Sequence, residues 1–134
     1  MRAALSALAI FSVAAVADLP PPADDYIGPR HTTLGGLAFE HRVQHYSRDL
    51  RLHRTDSYVL LVGCEGHSAN CDRVTQEGVI DWKVVSAGGK PIALGDLQAL
   101  IDAFAAAAPK ITLLFVHDEK HHAPLHRAVT LDSR

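Results

Sequence analysis

Residues 88–116 read Gly-Gly-Lys-Pro-Ile-Ala-Leu-Gly-Asp-Leu-Gln-Ala-Leu-Ile-Asp-Ala-Phe-Ala-Ala-Ala-Ala-Pro-Lys-Ile-Thr-Leu-Leu-Phe-Val, and this stretch decides the predicted fold. Its apolar residues recur at three- and four-residue steps, which predicts a helix with one apolar face at about 94–107. Pro109 ends that helix because proline cannot donate an i→i−4 hydrogen bond. The opening pair of glycines predicts a tight turn, and the β-rich run 111–116 predicts a strand. A helix with one apolar face, flanked by strands, must pack on a sheet.

The rest of the chain supplies shorter elements around this unit. Apolar runs predict further strands, and polar stretches predict helical turns, with a turn at Asp56 and Ser57. The predicted strands lie at 37–43, 58–63, 79–85 and 125–131, and the helical turns at 46–52 and 72–77. This order predicts an α+β domain, a small and partly open β-barrel or sandwich of five or six strands capped by two helices.

Length and charge limit the classes of function. The chain has 134 residues, and its formal net charge is −2, so we expect one domain with a short appendage. The scattered cations provide no electrostatic case for nucleic acid, and an aromatic content of 6% does not suggest a base-stacking platform. We therefore expect no nucleic-acid partner.

The N-terminus has the pattern of an export signal. Arg2 precedes an uncharged apolar run, and small residues at Ala15 and Ala17 fit a cleavage site. Residues 1–17 are therefore predicted to be a signal peptide, with an uncleaved anchor or a helix cut from a larger protein as alternatives. A proline-rich linker at 18–32 would follow, and 33–131 would form the domain. Export would place the protein in the periplasm or outside the cell, without a membrane association after cleavage.

The sequence contains two cysteines and nine histidines, which raise the questions of a disulfide and of a metal site. In an oxidising compartment Cys64 and Cys71 could form a disulfide, or they could remain two thiols. Neither the histidines nor the cysteines follow an established zinc spacing, so we predict no metal and no cofactor. No nucleophile motif such as Gly-x-Ser-x-Gly is present, so we predict no catalytic activity.

The element order, together with its residues, resembles a PDZ domain, specifically the PDZ modules of HtrA/Deg-type serine proteases. The resemblance covers about 33–131. Four segments carry it, in the family's order: a Gly-Gly-Leu-Ala-Phe loop at 35–39, the strand and loop at 58–69, the segment with paired glycines at 81–92, and the helix at 94–104 with a final strand at 129–131.

The resemblance implies recognition of a peptide C-terminus, or of a partner's strand, by β-augmentation. The terminal carboxylate would lie in a loop of main-chain N–H groups formed by Gly35, Gly36, Leu37, Ala38 and Phe39. The peptide would add a strand beside residues 39–43. The groove would be lined by His41, Val43, Leu97, Ile101 and Phe104. The partner would be a protein or peptide, with a protease subunit as one candidate.

Two alternatives remain open at this point. The domain could hold an assembly together without a peptide pocket. Residues 90–116, followed by Asp118 and the segment at 124–129, also resemble the periplasmic domain of ExbD/TolR-type proteins. The conformation of 125–131 separates the two resemblances, because a strand there favours PDZ and a helix favours ExbD/TolR. The β-branched residues at 129–130 favour a strand.

Overall fold

The computed structural model describes residues 26–49 and 52–134. The predicted signal peptide at 1–17, and the linker as far as residue 25, lie outside the described residues. The chain divides into two compact units. One consists of Tyr26–Val43 and Ser57–Arg134, and the other includes Gln44–Asp56. The first of these units contains the hydrophobic core.

The described ranges form seven strands and two helices, which confirms the α+β class. In chain order they are β1 (His31–Leu34), β2 (Leu37–Asp49), β3 (Leu52–Cys64), α1 (Ala69–Glu77), β4 (Lys83–Ala87), β5 (Lys90–Pro91), α2 (Leu97–Ala106), β6 (Lys110–His117) and β7 (Leu125–Asp132).

The strands make one open antiparallel sheet in the order β1-β2-β3-β4-β6-β7, with β5 paired to β4. The predicted number of five or six strands is therefore wrong, and the sheet is open rather than a closed barrel. The physical reason is the placement of β1, which forms a hairpin with β2. This leaves β1 at one end of the sheet and β7 at the other, so no strand ladder closes the sheet.

The core lies on one face of the sheet, beneath both helices. Alternate strand residues point to the same face, and the buried residues of β2, β3, β6 and β7 all follow this period. Their apolar side chains pack against the buried faces of α1 and α2. The largest fully buried side chains are Phe39, Phe115, Leu37, Leu61, Leu97, Leu100, Leu113, Leu131, Val59, Val74, Val79 and Val84.

The central stretch folds largely as its pattern predicts. The tight turn, α2, β6 and β7 are all present, and the 125–131 segment is a strand. The helix is shorter than predicted, since it begins at Leu97. Asp96 caps it by accepting a hydrogen bond from the Ala99 N–H, and the preceding Leu94 and Gly95 have positive φ angles that no helix accommodates.

Four local predictions are wrong. Where 46–52 is described it is strand rather than helical turn, and Asp56 lies inside β3 rather than in a turn. The strand predicted at 79–85 starts only at Lys83, because the left-handed Gly78 ends α1 and Val79 returns a hydrogen bond to Val74. β1 begins inside the predicted linker, which extends to residue 32. At 46–49, at Asp56 and in β1, pairing with a neighbouring strand overrides a weak local preference.

A disulfide between Cys64 and Cys71 ties the end of β3 to α1. The sequence left this bond open against two free thiols. Ser68 caps the same helix by accepting from the Cys71 N–H at 3.0 Å, so covalent and polar constraints fix the first turn of α1 together. Neither described helix is long and apolar enough to span a membrane.

Removal of the disulfide should lower the free energy of unfolding. The bond joins residues seven apart, and the chain-entropy treatment gives about 2.5 kcal/mol for so short a loop. Urea denaturation of Cys64→Ala/Cys71→Ala against the unchanged chain measures the difference. A reductant should shift the midpoint of the unchanged chain alone. A variant as stable as the oxidised chain would contradict the prediction.

Candidate functional site

The predicted carboxylate loop is a tight hairpin turn. Gly35 and Gly36 connect β1 to β2, and their neighbours Leu34 and Leu37 are paired across the strands. Both glycines have positive φ, at 57° and 79°, as a two-residue turn that matches the strand twist requires. A Cβ at Gly35 would lie 2.5 Å from the Asn70 side-chain nitrogen. Glycine is therefore required here by the turn and by Asn70.

Part of the place expected for the peptide strand is occupied by β1. Thr32 pairs with Phe39, and Thr33 pairs with Ala38, so that part of the β2 edge is already hydrogen-bonded. Leu37 and Phe39 are fully buried. The pairing extends to Glu40, and the His41 N–H donates to the Arg30 carbonyl beyond it, so a peptide beside the rest of 39–43 stays a prediction.

The residues expected to line the groove close the core instead. Leu97 and Phe104 are buried, Ile101 packs on the core from its margin, and the ring of Phe104 lies 6.1 Å from that of Phe39. Val43 is half-buried. These side chains join α2 to the sheet.

His41, another predicted groove residue, fastens two segments to β2. Only 6% of it is exposed, and its ring stacks on Tyr26 at 3.8 Å. Its Nδ1 lies 2.7 Å from the Gly95 carbonyl oxygen. A carbonyl only accepts, so Nδ1 carries the proton. A Cβ at Gly95 would lie 2.5 Å from this nitrogen, so His41 needs glycine there.

The carboxamide of Asn70 connects the two ends of the sheet. Its Nδ2 donates to the Gly35 carbonyl at 2.9 Å and to the Asp132 carbonyl at 2.8 Å. Its Oδ1 accepts from the Asp132 N–H at 2.8 Å. Toward Asp132 the side chain thus behaves as the peptide group of an adjacent strand would. Asn70 is 5% exposed, so these bonds are sheltered from water.

This contact shows which main-chain groups of β7 face away from the sheet. In an antiparallel ladder the residues alternate between facing one neighbour and facing the other. The N–H and C=O of Asp132 point outward to Asn70, so those of His126, Ala128 and Thr130 also point outward. All three residues are exposed, and no described strand pairs with β7 on that side. We call these three residues the open edge of β7.

The open edge has neither a bulge nor a proline to prevent strand pairing. β7 pairs with β6 through eight continuous positions without a bulge, and it contains no proline. Natural edges are often blunted by bulges, prolines, covering elements or short length. At the other end of the sheet, β1 has only four residues. The two ends therefore differ, and β7 offers the longer template.

Arg127 links β7 to the C-terminal end of α1 on the helix side of the sheet. Its guanidinium donates to the Glu77 carbonyl at 2.6 Å, at the C-terminus of α1, where a cation is favourable. It also lies 5.7 Å from the ring centre of Trp82, which in turn lies 5.2 Å from the His117 ring. These contacts and Asn70 fix α1 along β7 at both ends.

The described part of the chain holds no group of three or more His, Cys, Asp or Glu side chains placed to bind a metal ion. Comparisons with protein-family models, with curated proteins and with solved structures found no match. The PDZ and ExbD/TolR resemblances therefore stay predictions.

The sequence did not single out Asn70 or the open edge. The signal that could have placed Asn70 in a helix is Ser68, which lies three residues before Cys71 and has the pattern of a helix cap. The run 125–131 was identified as a strand, but its position at the end of the sheet has no local signal. Pro124, directly before the strand, is the sequence feature that indicates where the open edge stops.

One carboxyl group has a shifted pKa. The Arg42 guanidinium donates to Glu40 at 2.8 Å and holds the pKa of that carboxyl below its ordinary value. Desolvation opposes this shift, and the positive charges of Arg42 and His31 add to it. Because folding lowers this pKa, the stabilising contribution is present above the ordinary carboxyl pKa and is lost as pH falls through the lowered one.

Arg42→Ala should raise the pKa of Glu40 toward its ordinary value, since the variant removes the donor. A carbon-13 titration of the side-chain carboxyl measures the change. The same titration in Arg127→Ala, a change on the opposite part of the sheet, should leave Glu40 unaltered. An unchanged pKa in Arg42→Ala would show that Arg42 is not the cause.

Asn70→Ala should lower the free energy of unfolding by about 2–4 kcal/mol, because it leaves sheltered main-chain groups without a partner. Asn70→Asp should cost at least as much, although its shape is the same, since a carboxylate would face two carbonyl oxygens. Urea denaturation measures both values. Amide hydrogen exchange at Asp132 should accelerate in each variant. Slow exchange at Asp132 in Asn70→Ala would show that the Asn70 side chain does not protect the Asp132 amide.

Proposed function

We propose that this protein is a non-catalytic binding domain that adds an extended strand of a partner protein to the open edge of β7. The single observation that carries the proposal is the outward set of main-chain groups at His126, Ala128 and Thr130. They are exposed, regular and unpaired among the described residues. Hydrogen bonds to such an edge provide affinity that is largely independent of sequence.

The two ends of the open edge limit how much strand it can take. Beyond Thr130, the main-chain groups of Asp132 are occupied by Asn70. Before His126, Pro124 has no N–H to donate. A partner strand would therefore find three consecutive pairing positions. Such a limited ladder fits a specific, reversible contact rather than unlimited sheet growth.

Side chains beside the edge would add selectivity to the main-chain bonds. Leu125 is 48% exposed and lies on the helix side of the sheet, since it alternates with the buried Val129 and Leu131. An added strand would place side chains against it. Arg127 on the same side contributes a positive charge. The preferred partner strand would therefore bring apolar or acidic side chains to the helix side.

The proposal keeps β-augmentation, the mode implied by the PDZ resemblance, and moves it to another strand. It assigns no cofactor and no catalytic role to the chain. It also keeps an oxidising location, periplasmic or secreted, which the Cys64–Cys71 disulfide supports.

The test uses extended peptides selected from a random 12-residue library displayed on phage against the full chain. In nitrogen-15 spectra a selected peptide should shift the amides of the open edge, and hydrogen exchange at His126, Ala128 and Thr130 should slow. Ala128→Pro should abolish both effects, because it removes an outward N–H where an edge strand tolerates proline.

Two matched forms of the selected peptide give the control. N-methylation of alternate residues removes the donors of one peptide edge and leaves the other intact. One N-methylated form should lose binding, and the form methylated on the other set of residues should keep it. Shifts confined to other parts of the sheet, or equal binding by both forms, would contradict strand addition at β7.

A further inference from the structure

We infer that the strand added to the open edge of β7 is β7 of a second copy of this chain, in antiparallel pairing about a twofold axis at Ala128. The inference rests on the proposed function and names the partner. The open edge consists of Ala128 and one position on either side of it. An edge that is symmetric about one residue can pair with itself.

The register follows from the boundaries of the edge. With the axis at Ala128, His126 faces Thr130 of the second copy, and Ala128 faces its own counterpart. All three outward positions are then matched, and each matched pair exchanges two N–H···O bonds. The next pair outward would join Pro124 to Asp132. Pro124 has no N–H, and the Asp132 groups already bond Asn70, so the ladder ends at both sides without an unsatisfied donor.

Other registers use the edge less well. An axis at Arg127 sets Thr130 opposite Pro124 of the other copy, and an axis at Val129 sets His126 opposite the occupied Asp132. Each loses donors that the Ala128 register satisfies. A register shifted by one residue would place a residue whose main-chain groups point outward opposite one whose groups point toward β6. It would also move the side chains to the wrong face of the sheet.

The side chains are compatible with the same register. Ala128 at the axis is small, so two copies can approach without a clash. Arg127 faces Val129 of the second copy, and no like charges lie directly opposite one another, which would be unfavourable. The guanidinium is already directed to its own Glu77 carbonyl.

Leu125 gives an independent reason for a covered edge. It is one of three large apolar side chains found exposed among the described residues. In the Ala128 register it faces Leu131 of the second copy, on the helix side of a continuous sheet. Leu131 is already buried within its own chain, so the second copy would shelter Leu125 by placing its strand beside it rather than by offering a free apolar surface.

Sedimentation equilibrium of the full chain over a wide concentration range tests the inference. The unchanged chain should form a dimer. Ala128→Lys should weaken the dimer at least tenfold, because it sets two positive charges opposite one another at the axis. Ala105→Lys is the matched control, since it makes the same change at an exposed position on α2, and it should leave the dimer unaltered. Amide spectra confirm that both variants fold.

A cysteine cross-link at position 128 tests the geometry of the pairing between the two copies. Residues directly opposite in a hydrogen-bonded antiparallel pair have Cα atoms about 5.5 Å apart, which a disulfide can bridge. Under a mild oxidant Ala128→Cys should yield a linked dimer, and Ala105→Cys should not. A monomer at every concentration, a dimer that Ala128→Lys does not weaken, or the absence of the link would each overturn the inference.

Failure of this inference can be told apart from failure of the proposed function. If the chain stays monomeric but the selected peptide binds the open edge with the expected N-methylation pattern, strand addition holds and the partner is a different protein. If neither a dimer nor peptide binding at this edge is found, both proposals fall.

Discussion

The structure depends on one side chain that replaces a missing strand. Asn70 donates and accepts at Asp132 as a neighbouring backbone would, and it also bonds the Gly35 carbonyl of the first hairpin. A sheet whose strands run from β1 to β7 without closing has two exposed ends. A carboxamide that reaches both of them joins these ends at one corner, although no ladder connects β1 with β7.

The first helix is held where this clamp needs it. The disulfide to Cys64 fixes its first turn, Ser68 caps it, and Arg127 bonds the carbonyl of Glu77 at its end. A mobile helix could not keep a carboxamide in hydrogen-bonding geometry with three main-chain groups. The contacts that hold α1 in place therefore stabilise the fold. Through Asn70 they also decide where strand pairing along β7 must stop.

The sequence predicted the elements whose signals are local. The helical period at 94–107, the paired glycines before it and the β-rich runs at 111–116 and 125–131 each need only neighbouring residues, and each is found. The signals failed at 46–49 and at Asp56, where the paired strands β2 and β3 override polar and turn-forming residues. The peptide loop predicted at Gly35 shows a related limit. Paired glycines suit an anion loop and a tight hairpin turn equally, and only the partner strand decides between them.

By itself the sequence determined the α+β class and the central helix with its flanking strands, whereas it left open whether Cys64 and Cys71 bond. Only the tertiary structure decided which strand stands at the end of the sheet, and therefore which residues have outward main-chain groups. Strand order depends on contacts between residues far apart in the chain, such as Asn70 with Asp132 or Thr32 with Phe39. The period of the hydrophobic residues shows which face of a strand is buried, but it does not show which main-chain N–H groups are paired. Whether an N–H group is paired depends on the strand or side chain that lies beside it in the folded structure.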